Sequence, residues 1–431
     1  MRRRESLSLR AVQQGQSRTL AWRPKTVPRA TTNQLGGCKS GRHRVCHARP
    51  QNSLMPNAHA QTGIGMDTSL LFRMGMRRIS TISRENAYLM TGLDTTRPES
   101  IACEVIERCN YKCQYCHYWR SEKYSEEMTI EEWQAALVSL KEFIGSYKIK
   151  FVGGEPFLKK GFVDLLEFCH EQGLDWGVIT NGFAFRSGIT PRVVAAGPSN
   201  IDISVDSPDA GENDLIRGAP GSLRNIEAGM RSLRQERERA GAKFPIRIKP
   251  TITRLNFRSL PKFAEWLSAN GATSIDFHPV HALPFWSAEM REQLWPTADE
   301  CAEMRDVIEE LIGQQASGTP IETAAASLRS YPDQFLGQVV KTNIPGPCRV
   351  GMRDLSIGAA GDVAVCWEYA PIGNVKAHSL RDIWYGQVGS AVRKQTVDCV
   401  NLGKECANGC KDHRSLAQDI RRGITLLMQA K

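Results

Sequence analysis

The sequence predicts an α/β fold: a partial (β/α)6 TIM-like barrel with a small Cys-rich C-terminal domain and a disordered basic N-terminal tail. Three observations lead there. From residue 101 onward short apolar runs alternate with longer amphipathic ones, six times in succession. Polar, chemistry-bearing residues fall immediately after the apolar runs, and cysteines crowd into two separate places.

The units read in order as follows. Ile101 to Ile106 is a strand that leads into a Cys-rich loop. Thr129 and Glu132 have capping-box spacing ahead of a helix through Trp133, Leu137, Leu140 and Ile144. Ile149 to Val152 is the second strand, followed by a helix with Phe162, Leu165, Leu166 and Cys169 on one face. Strands follow at Trp176 to Thr180, Ile201 to Val205, Ile246 to Ile252 and Ser274 to Phe277, with helices around Pro191 to Ala195, Ser222 to Arg239 and Leu260 to Ala269. Repeated crossovers of this kind favour a parallel sheet with its functional loops at the C-terminal ends of the strands. The boundaries drawn are 1–98 for the tail, 99–285 for the barrel, 286–344 for a bridging region, 345–412 for the Cys-rich domain and 413–431 for a C-terminal helix.

Composition narrows the class further. The 431 residues are 41% hydrophobic and 24% charged, with mean hydropathy −0.36, as in ordinary globular proteins. No apolar run is long enough to cross a bilayer and no secretory signal pattern opens the chain, so a cytoplasmic protein without a membrane span is expected. The net charge of +10 is unevenly placed. Residues 1–50 hold twelve Lys/Arg against one acid and 51–100 five against four, which leaves 101–431 at −2. The tail reads as a targeting segment, as a basic arm for nucleic acid or anionic lipid, or as an over-extended start ahead of Met55, Met66 or Met74. Nothing downstream resembles nucleic-acid machinery, so a nucleic-acid partner is not expected.

Thirteen cysteines without a signal peptide point to reduced thiols holding metal. Cys109-x3-Cys113-x2-Cys116 is a loop that can hold three irons of a 4Fe-4S cube and leave the fourth open. A zinc site with His117 as fourth ligand is the rival. Cys103, Cys169 and Cys301 fall on strand or helix patterns, where a free cysteine is a small buried hydrophobe.

Cys109-Asn-Tyr-Lys-Cys113-Gln-Tyr115-Cys116, followed after the second strand by Gly153-Gly154-Glu155-Pro156, resembles the signature of the radical S-adenosylmethionine superfamily. The resemblance covers residues 99 to 285. It implies that Cys109, Cys113 and Cys116 ligate a 4Fe-4S cluster whose open iron is chelated by S-adenosylmethionine (SAM), and that one electron breaks the sulfonium bond to give a 5′-deoxyadenosyl radical. It further implies that Gly153, Gly154, Glu155 and Pro156 meet the methionine ammonium, and that Tyr115 packs on the adenine side. Asn181, Ser204 and Asp206 would be further cofactor contacts, with Arg217 of Asp214-Leu-Ile-Arg217-Gly218 on the carboxylate. A flavodoxin- or ferredoxin-type electron donor is implied as partner.

The last quarter resembles the SPASM/twitch extension of that superfamily, in a shortened form. Cys348, Cys366, Cys399, Cys406 and Cys410 are the candidate ligands. Gly361-Asp362-Val363 reads as a hairpin turn returning Cys366 beside Cys348, and Thr396 stands where a full module has a cysteine. Five cysteines cannot supply two fully ligated cubes, so one auxiliary 4Fe-4S cluster is expected, with structural zinc as the alternative. The expected reaction is oxidation or cross-linking of a peptide or small molecule. His281 and Glu368 are the candidate proton acceptors, and His278 is a residue that could face substrate. A non-catalytic iron–sulfur carrier or scaffold, and a nucleic-acid modifier using the tail, are the alternatives.

Overall fold

The computed structural model describes residues 68–120, 126–145, 147–282, 285–338, 347–366 and 368–399, with side-chain surroundings given from residue 79. The expected C-terminal helix over 413–431, together with Cys406 and Cys410, lies outside the described residues, as does the tail up to residue 67.

A helix, α1 (Thr68–Thr91), comes first. Strands β1 (Ser100–Ile106), β2 (Lys148–Gly153), β3 (Asp175–Thr180), β4 (Asn200–Ile203) and β5 (Ile246–Ile248) follow. Between them lie α2 (Ile130–Ile144), α3 (Phe162–Glu171), α4 (Thr190–Ala195), α5 (Ala210–Arg217) and α6 (Ser222–Arg239). The capping box forms as expected, with Glu132 N donating to Thr129 Oγ1 at 3.2 Å and Thr129 N to Glu132 Oε2 at 2.8 Å. β1 to β5 pair in sequence order and in parallel, each separated by a helical crossover.

The expected fifth strand, Ile246 to Ile252, divides at Lys249-Pro250, because proline has no N–H to give a ladder. Its second half, β6 (Thr251–Ile252), leaves the main sheet. After α7 (Phe263–Asn270) the expected sixth strand, Ser274 to Phe277, is paired only over β7 (Ser274–Ile275) beside β5, and a further short strand past its expected end, β8 (His278–Pro279), pairs with β6. The bridging region holds three helices, α8 (Ala288–Leu294), α9 (Ala298–Ala316) and α10 (Ala325–Phe335). Its Ile321 bridges Ile275, which covers the β7 edge.

One face of the sheet is apolar and packs on the helices; Ile149, Phe151, Trp176 and Val178 are fully buried there. The alternate residues build a charged opposite face. Asp202 on β4 takes Lys150 Nζ at 2.9 Å and Arg247 Nε at 2.8 Å, and Arg247 Nη1 continues to Glu322 at 3.1 Å. Lys150 reaches Asp202 across Gly177, whose missing side chain leaves the passage open. These cations hold the Asp202 carboxyl at about 2 although burial opposes ionisation.

The C-terminal module continues the same sheet. After α11 (Val350–Arg353), β9 (Asp354–Ile357) lies parallel to β1, and the hairpin to β10 (Asp362–Ala364) and β11 (Gly373–Asn374) extends it antiparallel. The sheet order is β11-β10-β9-β1-β2-β3-β4-β5-β7, with no pairing among the described residues that closes it. Two helices follow, α12 (Leu380–Tyr385) and α13 (Gln387–Val397).

The low-structure tail expected over 1–98 is corrected for residues 68–98. α1 occupies Thr68–Thr91, and the segment after it is built into the C-terminal module. Buried Glu85 pairs with Arg349 and Arg353; Arg353 Nη2 lies 2.6 Å from Glu85 Oε2 and Arg349 Nη1 2.8 Å from the same oxygen. Arg393 pairs with Asp94 and donates to Thr96 Oγ1 at 3.0 Å, while Trp384 Nε1 donates to Thr96 O at 3.0 Å. The sequence showed no sustained apolar periodicity here because the docking is made by buried charge pairs.

Candidate functional site

The loop after β1 carries Cys109, Cys113 and Cys116 and is held from four sides. At its root Glu155 N donates to Arg108 O at 2.9 Å and Gly154 N to Ile106 O at 2.7 Å. A Cβ on Gly154 would stand 2.1 Å from Arg108 O, and one on Gly153, at φ +123°, 2.3 Å from Ile106 O. The two glycines therefore let the end of β1 cross the Gly-Gly-Glu-Pro turn. Asn181 Nδ2 donates to Asn110 Oδ1 at 2.7 Å, beside Cys109.

Farther along, Gln114 N donates to Ile216 O at 3.0 Å, and the Lys112 carbonyl passes over Gly218, where a Cβ would lie 2.2 Å away. Tyr115 Oη donates to Asp206 Oδ2 at 3.0 Å, and Arg217 Nη1 reaches Tyr115 Oη at 2.8 Å and Asp206 Oδ2 at 3.2 Å. Asp206 Oδ1 accepts from Thr251 N at 2.9 Å. Burial alone would push the Arg217 pKa down, but Cys113, Tyr115, Asp206 and Cys109 together hold it up.

Several residues expected to touch the cofactor thus turn inward. The Glu155 carboxylate is buried and accepts from Thr180 Oγ1 at 2.7 Å, Asn181 N at 2.8 Å and Phe157 N at 3.3 Å. Burial raises its pKa against those hydrogen bonds. Oε1 is saturated, and Oε2 keeps one lone pair for any ammonium. Pro156 is buried at the start of the same short turn. Asp206 is fully buried and engaged on both oxygens, so it positions Tyr115 and Arg217. Ser204 is half-buried, with its N–H on Thr180 O at 2.9 Å.

The three thiols face one another closely enough that each pair's charges interact, and burial pushes each up to about 11. Among the described residues no three His, Cys, Asp or Glu side chains are close enough to hold a single metal ion. Three thiols on one short loop are the donor set of a cluster with one corner left open, whereas the His117 ring that zinc would need lies tilted against Tyr118 at 4.2 Å. Arg217 Nε is buried with no partner, a donor left for an anionic group beside the loop. Both features fit the cluster and the carboxylate of SAM.

In the C-terminal module the Tyr369 hydroxyl donates to Gln395 O at 3.2 Å and lies within charge-interaction range of Cys348, Cys366 and Cys399. Burial and these thiols raise its pKa to about 12, with Cys399 in hydrogen-bond contact. The expected hairpin turn forms at Gly361, φ +93°, and returns the chain antiparallel along β9. Thr396 is buried against Gly351, and its hydroxyl donates to Arg393 O at 2.7 Å. His281 is half-buried and Glu368 exposed.

No motif in the sequence marks the charged face of the barrel. At its C-terminal end Asp276 takes His278 Nε2 at 3.1 Å, Lys249 Nζ at 3.3 Å and Thr323 Oγ1 at 3.0 Å. Burial would raise the Asp276 pKa, but His278, Lys249 and Thr323 hold it well below the usual carboxylate range. The signal available was the alternation of charged with apolar residues at Lys148 to Phe151 and Ile246 to Lys249.

A partial parallel barrel with a three-thiol loop at its rim, stitched to a second cysteine module, defines a metal-cluster enzyme with two redox sites. The chain belongs to the radical SAM superfamily: residues 103–241 match the radical SAM superfamily model, and residues 348–411 match the SPASM iron-sulfur cluster-binding domain. It is accordingly an enzyme that uses a 4Fe-4S cluster, SAM and auxiliary iron–sulfur. Among its relatives are a PqqA peptide cyclase of Xanthomonas campestris, 27% identical over 303 residues that span 67% of this chain and 73% of that one. An Fe-coproporphyrin III synthase of Methanosarcina barkeri is 23% identical over 300 residues, 66% of this chain and 73% of that one. The solved structure of anSMEcpe with bound AdoMet and Cp18Cys peptide shares the fold, with TM-score 0.54 and 16% identity over 78% of this chain and 99% of that one.

Proposed function

We propose that this enzyme oxidises or cross-links a peptide, using the barrel rim to generate the radical and the C-terminal module to take the electron left behind. When bound, the cluster and SAM supply a 5′-deoxyadenosyl radical that removes hydrogen from an unactivated C–H. The observation that carries the reading is the continuous sheet: β9 lies directly beside β1, so the Cys348, Cys366 and Cys399 group belongs to the same rigid body as the Cys109 loop. The peptide-modifying relatives support the substrate class. A flavodoxin- or ferredoxin-type protein would deliver the electrons.

The chain's own residues then have these roles. Cys109, Cys113 and Cys116 hold the radical-generating cluster. Arg217 Nε would hold the SAM carboxylate, and the Gly153-Gly154-Glu155-Pro156 turn and Asn181 fix the loop. Tyr115 and Asp206 orient Arg217, and Ser204 lies beside them on the same rim. Cys348, Cys366 and Cys399, with Cys406 or Cys410, hold the auxiliary group. Among His278, His281 and Glu368, His278 is the proton acceptor the surroundings orient. It is partly exposed, anchored by Asp276, and paired across β6–β8 with Thr251, whose N–H reaches Asp206.

The test is anaerobic reconstitution, reduction and incubation with SAM and a peptide encoded beside the gene, read by mass spectrometry. 5′-Deoxyadenosine and a peptide lighter by two hydrogens are expected. Formation of Fe-coproporphyrin III from a tetrapyrrole precursor, with the peptide untouched, would replace this reading with the tetrapyrrole chemistry named by the second relative. His278→Asn should keep SAM cleavage and lose the oxidised peptide.

A further inference from the structure

At the ends where β1 and β2 begin, opposite the cysteine rim, the molecule has a cavity of about 640 Å³. Its place follows from its lining. Asp94 and Arg97 lead into β1, Phe143 lies at the end of α2 just ahead of β2, and Arg381 and Tyr385 belong to α12. A strand of six or seven residues spans about 20 Å. The cavity is therefore a strand length away from Cys109 and takes no part in the chemistry there.

Three guanidiniums, Arg84, Arg97 and Arg381, face this space, and none has a carboxylate partner among the described residues. The neighbouring Arg349, Arg353 and Arg393 are all paired, with Glu85 and Asp94. Two carboxylates also line the cavity, and both are engaged. Asp94 takes Arg393 and Thr96, and Asp382 accepts from Ser379 Oγ at 2.7 Å. Phe143 and Tyr385, edge to face at 5.6 Å, give it an apolar wall. A second cavity of about 240 Å³ shares Arg84 and Arg97 and runs on past Ser80, Thr81 and Glu99, whose carboxylate accepts from Thr81 Oγ1, so the two adjoin as one elongated cleft.

We propose that this cleft docks an acidic stretch of the peptide substrate, remote from the rim where another part of the same peptide is modified. The planar guanidinium fork matches a carboxylate in two parallel hydrogen bonds. In an extended chain, side chains two residues apart are about 6–7 Å apart on one side, which suits successive arginines along a cleft better than it suits a compact ion. An apolar side chain between the acids would lie on Phe143 and Tyr385. The identity of what docks rests on the peptide reading above; the cleft and its charge do not. At about 3.3 Å per extended residue, the acidic stretch and the modified residue would be at least about six residues apart.

The test uses full-length, reconstituted protein and a fluorescein-labelled Glu-Leu-Glu-Phe-Glu-Gly peptide, followed by anisotropy. The peptide should bind, weaken as salt rises, and bind roughly tenfold more tightly than its glutamine counterpart. The triple variant Arg84→Gln, Arg97→Gln, Arg381→Gln should lose about the same factor, although the twelve basic residues of positions 1–50 remain. Arg381 and Arg97 are exposed, so Arg381→Gln alone, which leaves the fold intact, should show part of that loss. Unchanged affinity in the triple variant would overturn the proposal. So would inorganic pyrophosphate binding more tightly than the peptide, which would make this a small-anion site. 5′-Deoxyadenosine formation without peptide, read in parallel, should be the same in wild type and variant. If wild type cleaves SAM and modifies no peptide, the functional reading fails while anisotropy still reports on the cleft.

Discussion

Glycine 154 and the Asp206–Arg217 pair show how single residues hold the cysteine loop. Gly154→Ala would drive a methyl group into the Arg108 carbonyl, 2.1 Å from the ideal Cβ, and lift the loop off its root. Iron analysis after anaerobic reconstitution should find about four irons fewer than in wild type, with the C-terminal module still loaded. Asp206→Ala would leave Arg217, 5% exposed, without its carboxylate. A loss of about 3–5 kcal/mol in denaturant unfolding is expected, since a buried charge stripped of its partner bears the full desolvation cost. The motif glycines and the Arg-Gly pair were legible in the sequence as motifs. Their physical task was not, because a close backbone approach involves residues tens to a hundred positions away.

At the scale of elements, α1 and the segment behind it fasten the C-terminal module through Glu85. Burial raises that carboxyl's pKa, but the hydrogen bonds and charges of Arg353 and Arg349 outweigh it, so the folded value lies below the ordinary 4.5. A depressed carboxylate contributes stability that is fully present above the unfolded value and is lost as pH falls through the folded one. Thermal unfolding of wild type should therefore weaken below about pH 4.5, and Glu85→Gln should flatten that limb while lowering stability at pH 7 by about 3 kcal/mol. Amide exchange in Asp354–Ile357 should speed up in the same variant, because Glu99 N donates to Arg353 O at the entry of β9. The strand and helix periods of the barrel could be read from sequence because each buries one face. This clamp could not, since a Glu and two arginines separated by about 264 positions carry no period.

At the scale of the whole molecule, the shared sheet makes barrel and C-terminal module one unit. Ending the chain after residue 337 would strip β9 from β1 and expose the Ser100–Cys103 edge. Such a fragment is expected to aggregate, with size-exclusion chromatography as the measurement; a well-behaved monomer would show that the modules fold apart.

Sequence alone determined the α/β class, the order of the strands, the three-cysteine loop and the presence of a second cysteine module. Each of these is local, written in periodicity or in spacing over a few residues. Only the tertiary structure decided that Glu155 and Asp206 point inward to build the loop's cradle, that β9 extends the barrel sheet, and that three arginines from α1, the β1 approach and α12 share one cleft. Those outcomes depend on which surfaces meet, and burial and charge compensation choose them among residues too far apart in the chain to leave a local mark.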